Sequence, residues 1–308
     1  MRPLFSLAAL AVATLALPTA ASAAPCDETC LLSLADQTMT ALAKQEWRSL
    51  PWSETVGYSE NGVRLMIGDA FWGSAGKTPG KKAFAAADAR TGNAVWVGTM
   101  YDHDAPAFGA LRIRAPQGRI EEIEFIVMRK GLPGGFGDPA AFAVDKSLAR
   151  PLATTARRSR ERLVDVANAY LGTKQRNNGT LLAQFTPDCA FIENGIPLTS
   201  GATGPAALAK GCEAQLKLGA YRPIERIRDR RFPVVDEATG LVVAISMQDM
   251  PQRDVSFTTT DGRTVSTADT YPMSRIVIEL LRIEGDKVAR SEGISVMQPL
   301  NMPSAWKE

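Results

Sequence analysis

A chain of 308 residues with a single histidine, His103, is poorly supplied with metal ligands. Structural and catalytic zinc sites draw on several Cys, His and carboxylate side chains, often with C-x2-C spacing, and neither cysteine pair has that spacing. No metal is expected. Charge of one sign is also lacking. The 35 Lys+Arg against 33 Asp+Glu leave a net charge of +2, which gives no electrostatic basis for binding nucleic acid or an anionic membrane. There is no G-x-S-x-G elbow, no G-x-x-x-x-G-K-[ST] phosphate loop and no H-E-x-x-H, so the chemistries those motifs carry are set aside and no cofactor is expected. The long apolar run from Leu4 to Leu17 falls short of the roughly 20 residues a bilayer-spanning helix needs. It follows Arg2 and ends in the small residues Ala21-Ser22-Ala23, so residues 1–23 read as a signal peptide that is removed on export to the periplasm or the medium. After its removal no membrane attachment is expected.

Cysteine is scarce as well, at four residues. In an oxidising compartment an even number suggests two disulfides, with three connectivities open. Cys26 and Cys30 lie one helical turn apart, and Cys189 and Cys212 share the second half. This favours pairing within each half.

What the sequence has is a repeat. Y-S-E-N-G-V-R-L at 58–65 has its counterpart in F-I-E-N-G-I-P-L at 191–198. An amphipathic helical stretch precedes each, Leu31 to Ala43 and Arg160 to Leu171. Thr91-Gly92 opens one apolar run and Thr239-Gly240 another, and each half closes with two strands and a tight turn. The glycine- and proline-dense stretch at 131–139 breaks regular structure. The expected organisation is a first module at 24–130, a linker at 131–154 and a second module at 155–308. An inserted hairpin at 252–270 turns at Asp261-Gly262.

Alternation places Val56, Tyr58 and Glu60 on one strand face before the favoured Asn61-Gly62 turn, and Cys189, Phe191 and Glu193 before Asn194-Gly195. Long strands with apolar faces bury them most simply as a twisted sheet wrapped on helices. The expected class is therefore α+β, as two tandem modules of that kind.

These halves resemble the nuclear-transport-factor-2-like fold, also called SnoaL-like. More specifically, C-D-E-T-C-L at 26–31, Y-S-E-N-G-V-R-L at 58–65, the stretch at 227–242 and M-P-S-A-W at 302–306 resemble an uncharacterised family of exported bacterial and fungal proteins, a domain of unknown function with this fold in tandem. The resemblance implies cone-shaped modules, each a curved antiparallel sheet wrapped on helices. It also implies cofactor-free acid–base work on a small organic molecule held in the cone, with homodimers possible. One departure stands out: Asp249-Met250 occupies the place of an expected aspartate-histidine pair.

Acid–base chemistry needs a carboxylate or imidazole in an apolar pocket and a donor for developing negative charge. The first half offers Tyr58, Glu60, Tyr101, Asp102 and His103 as catalytic candidates, with Trp72 and Trp96 as walls. The second offers Glu193, together with Arg228 and Arg230 beside Arg226 on one strand face as a clamp for an anionic ligand. Plainer readings stand beside these. Glu60 and Glu193 suit solvated hairpin positions, His103 an exposed turn, Trp96 a core position, and the arginines a salt-bridged network. The expected function is an exported lyase or isomerase. The alternatives are a non-catalytic small-molecule binding protein and a structural pseudo-dimer whose pockets are filled by its own side chains.

Overall fold

The computed structural model describes residues 25–201, 205–252, 256–266 and 271–306; the expected signal peptide lies outside them. The chain opens with helix α1 (Glu28–Lys44), capped by the Asp27 carboxylate on the Cys30 amide, with Glu28 in its first turn and Lys44 in its last. Those charges complement the helix dipole. Then follow β1 (Trp52–Glu60), β2 (Val63–Leu65), the single turn α2 (Phe71–Ser74), β3 (Lys81–Asp88), β4 (Asn93–Asp102), β5 (Ala105–Arg114) and β6 (Ile120–Met128). The second half repeats the order with α3 (Arg160–Arg176), β7 (Gln184–Glu193), β8 (Ile196–Pro197), α4 (Pro205–Leu208), α5 (Cys212–Leu218), β9 (Arg226–Asp236), β10 (Leu241–Met250), β13 (Met273–Glu284) and β14 (Lys287–Pro299). The insertion forms β11 (Ser256–Thr258) and β12 (Thr264–Ser266), which turn over Asp261-Gly262 and rest on α5 through Thr260 and the Lys217 carbonyl.

The two sheets have one topology. Their strand orders are β2-β1-β6-β5-β4-β3 and β8-β7-β14-β13-β10-β9, six strands each. The equivalence extends to side chains. Leu31, Leu34, Ala35, Thr38, Met39, Ala41 and Leu42 are buried on α1, and at one constant offset so are Leu163, Val166, Ala167, Tyr170, Leu171, Thr173 and Lys174 on α3. The sheets are mixed rather than purely antiparallel, because β1 runs parallel to β6 and β7 parallel to β14.

The repeated E-N-G triplet has a physical role at that parallel junction. Asn61 and Gly62 take φ +49 and +80, and Asn194 and Gly195 take +48 and +73, the left-handed pair a tight hairpin turn requires. The Asn61 amide then brackets Val127, accepting from its N–H at 2.8 Å and donating to its carbonyl at 3.2 Å. Asn194 does the same to Ser295, at 2.9 and 3.1 Å.

Each sheet buries one face under its helix and the other against its counterpart. Val95, Val97, Phe108 and Ile126 meet Val243, Ile245, Ile278 and Ile294 in a shared apolar seam. Burying each such side chain contributes about 1.5–3 kcal/mol, and this seam explains why β4 and β10 read as continuous apolar runs. The stretch expected as a linker is packed rather than loose. Phe136 and Phe142 stack edge-on against Phe108, while Val144 and Leu148 enter the seam. The C-terminal segment crosses back to the first module, where the Trp306 indole donates to Ser59 Oγ at 2.8 Å. Cys26 pairs with Cys30, and Cys189 with Cys212.

Candidate functional site

In the first module the expected catalytic residues form a chain of contacts anchored by Arg129, a residue the sequence reading did not select. Glu60 is buried, at 7% exposure, which overturns the solvated-hairpin reading. Its carboxylate accepts from the Phe71 amide at 2.7 Å, pairs with Arg129 Nη1 at 2.7 Å and lies 3.4 Å from the Tyr58 hydroxyl. Burial, together with Glu60, raises the Tyr58 pKa and keeps the phenol protonated. Arg129 also pairs with Asp102, which burial pushes up but hydrogen bonds from Ser74 and Arg129 hold below its ordinary value. His103 stands in a left-handed turn at φ +51 with its side chain 83% exposed, its Nδ1 3.1 Å from Asp102. Tyr101 is half-buried beside a gap of about 10 Å³, room for one water at most.

This constellation braces the fold. With Glu60 held by an amide and a guanidinium, its lone pairs serve the α2 turn and Arg129, and the His103 side chain is out in solvent. Trp72 and Trp96 are core residues, not ligand walls. Trp72 packs edge-on against Trp52 and Phe125, at 6.3 and 6.0 Å, and Trp96 lies under α1.

The arginine strand is likewise engaged by protein. Two register shifts in the pairing of β9 with β10, with Asp229 at φ +50, break the expected alternation. Arg226 and Arg228 share Asp249, at 2.6 and 2.9 Å, and Arg228 also donates to the Met302 carbonyl. Arg230 turns toward α3, donating to the Asn168 carbonyl and Gln175. Arg231 crosses to Glu124 of the first module. The salt-bridged reading fits Arg226 and Arg228, whereas Arg230 bonds carbonyl and amide oxygens and pairs with no carboxylate among the described residues. Glu193 pairs with Arg275 at 2.7 Å and accepts from Ser295 Oγ at 2.9 Å, and Arg275 in turn donates to Gln248.

A different set gathers under α3. Tyr170 Oη, Lys174 Nζ and Ser291 Oγ all donate to Glu279 Oε1, at 2.7, 3.1 and 3.0 Å. Glu279 Oε2 is buried and has no hydrogen-bond partner among the described residues. Both Lys174 and Glu279 are 4% exposed. Burial alone would raise the Glu279 pKa, yet Lys174 and the hydrogen bonds outweigh it and hold the carboxyl below its ordinary value. Burial and Glu279 raise the Tyr170 pKa well above normal, so the phenol stays a donor. Lys174 Nζ lies over the Tyr170 and Tyr221 rings, at 5.3 and 6.0 Å. Phe191 packs against both tyrosines, completing an aromatic surround.

The first module provides an internal control for this cluster. Glu60 pairs with Phe125, which pairs with Leu111; Glu193 pairs with Gly293, which pairs with Glu279. Leu111 is therefore the register equivalent of Glu279, and by the same reckoning Ile123 is the equivalent of Ser291. On the helices Leu42 stands for Lys174. Where one copy of the fold has Leu, Leu and Ile, the other has Lys, Glu and Ser. One topology thus accommodates either set. In the sequence, the signal was Glu279 inside V-I-E-L-L, alternating with the core residues Leu281 and Ile283.

Residues 156–295 match the model of a family described as a domain of unknown function (DUF8021), a span running from just before α3 into β14. No curated protein matches the chain. Similar solved structures include AusH from Aspergillus nidulans, 14% identical over 44% of this chain and 85% of that one, with a TM-score of 0.28. They also include a protein of unknown function with a cystatin-like fold from Methylobium petroleophilum PM1, 13% identical over 42% and 100%, TM-score 0.29. A third is the BvnE pinacolase from Penicillium brevicompactum, 13% identical over 51% and 89%, TM-score 0.26.

Proposed function

We propose that the protein is an exported small-molecule enzyme doing cofactor-free acid–base chemistry, of the lyase or isomerase type, beneath α3 of the second module. The observation that carries the proposal is the asymmetry of Glu279, with three donors on Oε1 and, among the described residues, none on Oε2. A buried acceptor without a donor costs about 1–3 kcal/mol. A substrate hydroxyl or an acidic C–H satisfies it.

Lys174 supplies the complementary function. Its ammonium has three hydrogens, and one is committed to Glu279. The others are suited to a substrate oxygen on which negative charge develops. A substrate entering between the two side chains weakens their pairing. The desolvation of Glu279 is then no longer offset, its pKa rises, and it becomes a stronger base. Tyr170 keeps the carboxylate oriented and stays protonated.

The first module is the structural half in this reading. Its interior is occupied by Phe71, Trp72, Trp96, Leu111 and Phe125, and its outer face covers the second sheet. The pseudo-dimer alternative, with sheets packed face to face and pockets filled by the protein's own side chains, needs no ligand in either module and is the reading that Glu279 speaks against. The proposal is tested by screening hydroxylated and carbonyl-bearing substrates for dehydration and isomerisation with the mature protein and with Glu279→Gln and Lys174→Met. Turnover that survives both substitutions contradicts it.

A further inference from the structure

A second polar feature lies where the modules meet, apart from the Glu279 cluster. A cavity of about 230 Å³ opens between β5 and β6 of the first module and β9 of the second. Arg112, Arg114 and Arg231 line it, and Phe232, Pro233 and Trp306 supply apolar wall. Guanidinium groups suit recognition of an anion, since the planar fork matches a carboxylate in two parallel hydrogen bonds.

The arginines are held in place before any ligand arrives. Arg112, 4% exposed, donates through Nε to Glu124 at 2.8 Å and through Nη1 to Asn93 at 2.9 Å. Arg231 grips Glu124 with two bonds, at 3.0 and 2.8 Å. Burial would push the Glu124 pKa up, but Arg231 and Arg112 hold it down to about 2. The buried Arg-Glu-Arg group carries one excess positive charge. Glu122, 31% exposed in its side chain, provides the balance by pairing with Arg112 Nη1 at 2.8 Å. Arg112 Nη2 is buried and makes no hydrogen bond among the described residues. The exchangeable partner of this site is thus the Glu122 carboxylate, on a solvent-reaching side chain, set against two guanidinium groups held by Glu124. Arg114 stands at the rim, 39% exposed and paired with Glu121.

We propose that this seam binds a small organic carboxylate with an apolar body, its carboxylate taking the place of Glu122 on Arg112 and reaching Arg114, its body against Phe232, Pro233 and Trp306. The volume suits a compact acid and lies below the usual range for drug-sized ligands, about 300–1,000 Å³. The apolar wall disfavours a bare inorganic oxyanion. Because Arg112 and Arg114 belong to the first module and Phe232 and Pro233 to the second, the ligand touches both, and binding raises thermal stability by linkage.

The test is calorimetric titration of the full mature chain, disulfides intact, with benzoate as probe and inorganic phosphate as comparison. Two substitutions of opposite sign accompany it. Arg114→Ala removes a rim guanidinium that the fold does not rely on and weakens benzoate binding about tenfold. Glu122→Gln removes the competing carboxylate and tightens it. Saturable benzoate binding with those two shifts is the expected result. Phosphate binding in preference to benzoate, affinities equal in wild type and both variants, or no saturable binding of benzoate would each overturn the proposal.

Discussion

Tyr170 Oη lies 2.7 Å from the carboxylate of Glu279, at a position of the sheet where the other copy of the module has Leu111. Two sequences thus fill the interior of one topology, one with hydrocarbon and one with a buried ion pair. Desolvating charges is costly, so a buried pair commonly contributes no more stability than an apolar replacement of similar volume.

The two members of that pair are expected to be far less replaceable singly than together. Lys174→Met leaves Glu279 buried without its cation and lowers stability by about 3–5 kcal/mol. Lys174→Met combined with Glu279→Leu recovers most of the loss. Urea unfolding of the four proteins of the cycle gives the coupling directly; equal and additive losses would contradict it.

Acid sensitivity follows from the seam between the modules. The Glu124 carboxyl sits at about 2 in the folded protein against an ordinary 4.5. A lowered folded pKa means the unfolded chain takes up protons first as pH falls. The stabilisation is complete above about 4.5 and is lost progressively as pH drops through about 2. Glu124→Gln is expected to flatten the fall of melting temperature across that window while lowering stability at neutral pH. An unchanged slope would remove Glu124 from the explanation.

The two disulfides should differ in worth. Cys189 and Cys212 are 23 residues apart and tie β7 to α5, whereas Cys26 and Cys30 are 4 apart at the start of α1. Chain-entropy arguments give about 3 kcal/mol for the longer loop and about 2 for the shorter. Paired Cys→Ala substitutions compared by chemical denaturation are expected to reproduce that order.

Much of the fold is legible in the sequence because its markers are local. Asn-Gly turns, capping residues and helical periodicity act over a few positions, and the repeat shows each of them twice. The candidate site was harder to read for the converse reason. Glu279 finds its partners on α3, more than a hundred residues earlier, and nothing near it in sequence sets it apart from a solvated strand residue except its alternation with Leu281 and Ile283. The bulges of β9 similarly sent Arg228 and Arg230 in different directions. Glu60 and His103 drew attention as residue types near turns; one is buried and paired with Arg129, just past the end of β6, and the other is exposed on its turn.

The most direct test gives the second module the interior of the first, through Lys174→Leu, Glu279→Leu and Ser291→Ile together. A chain that stays folded with unchanged or higher melting temperature, and that loses all turnover on a substrate the wild type converts, is the predicted result. A triple variant that folds and retains turnover would contradict the assignment of the chemistry to this cluster, and one that unfolds would contradict the interchangeability of the two interiors.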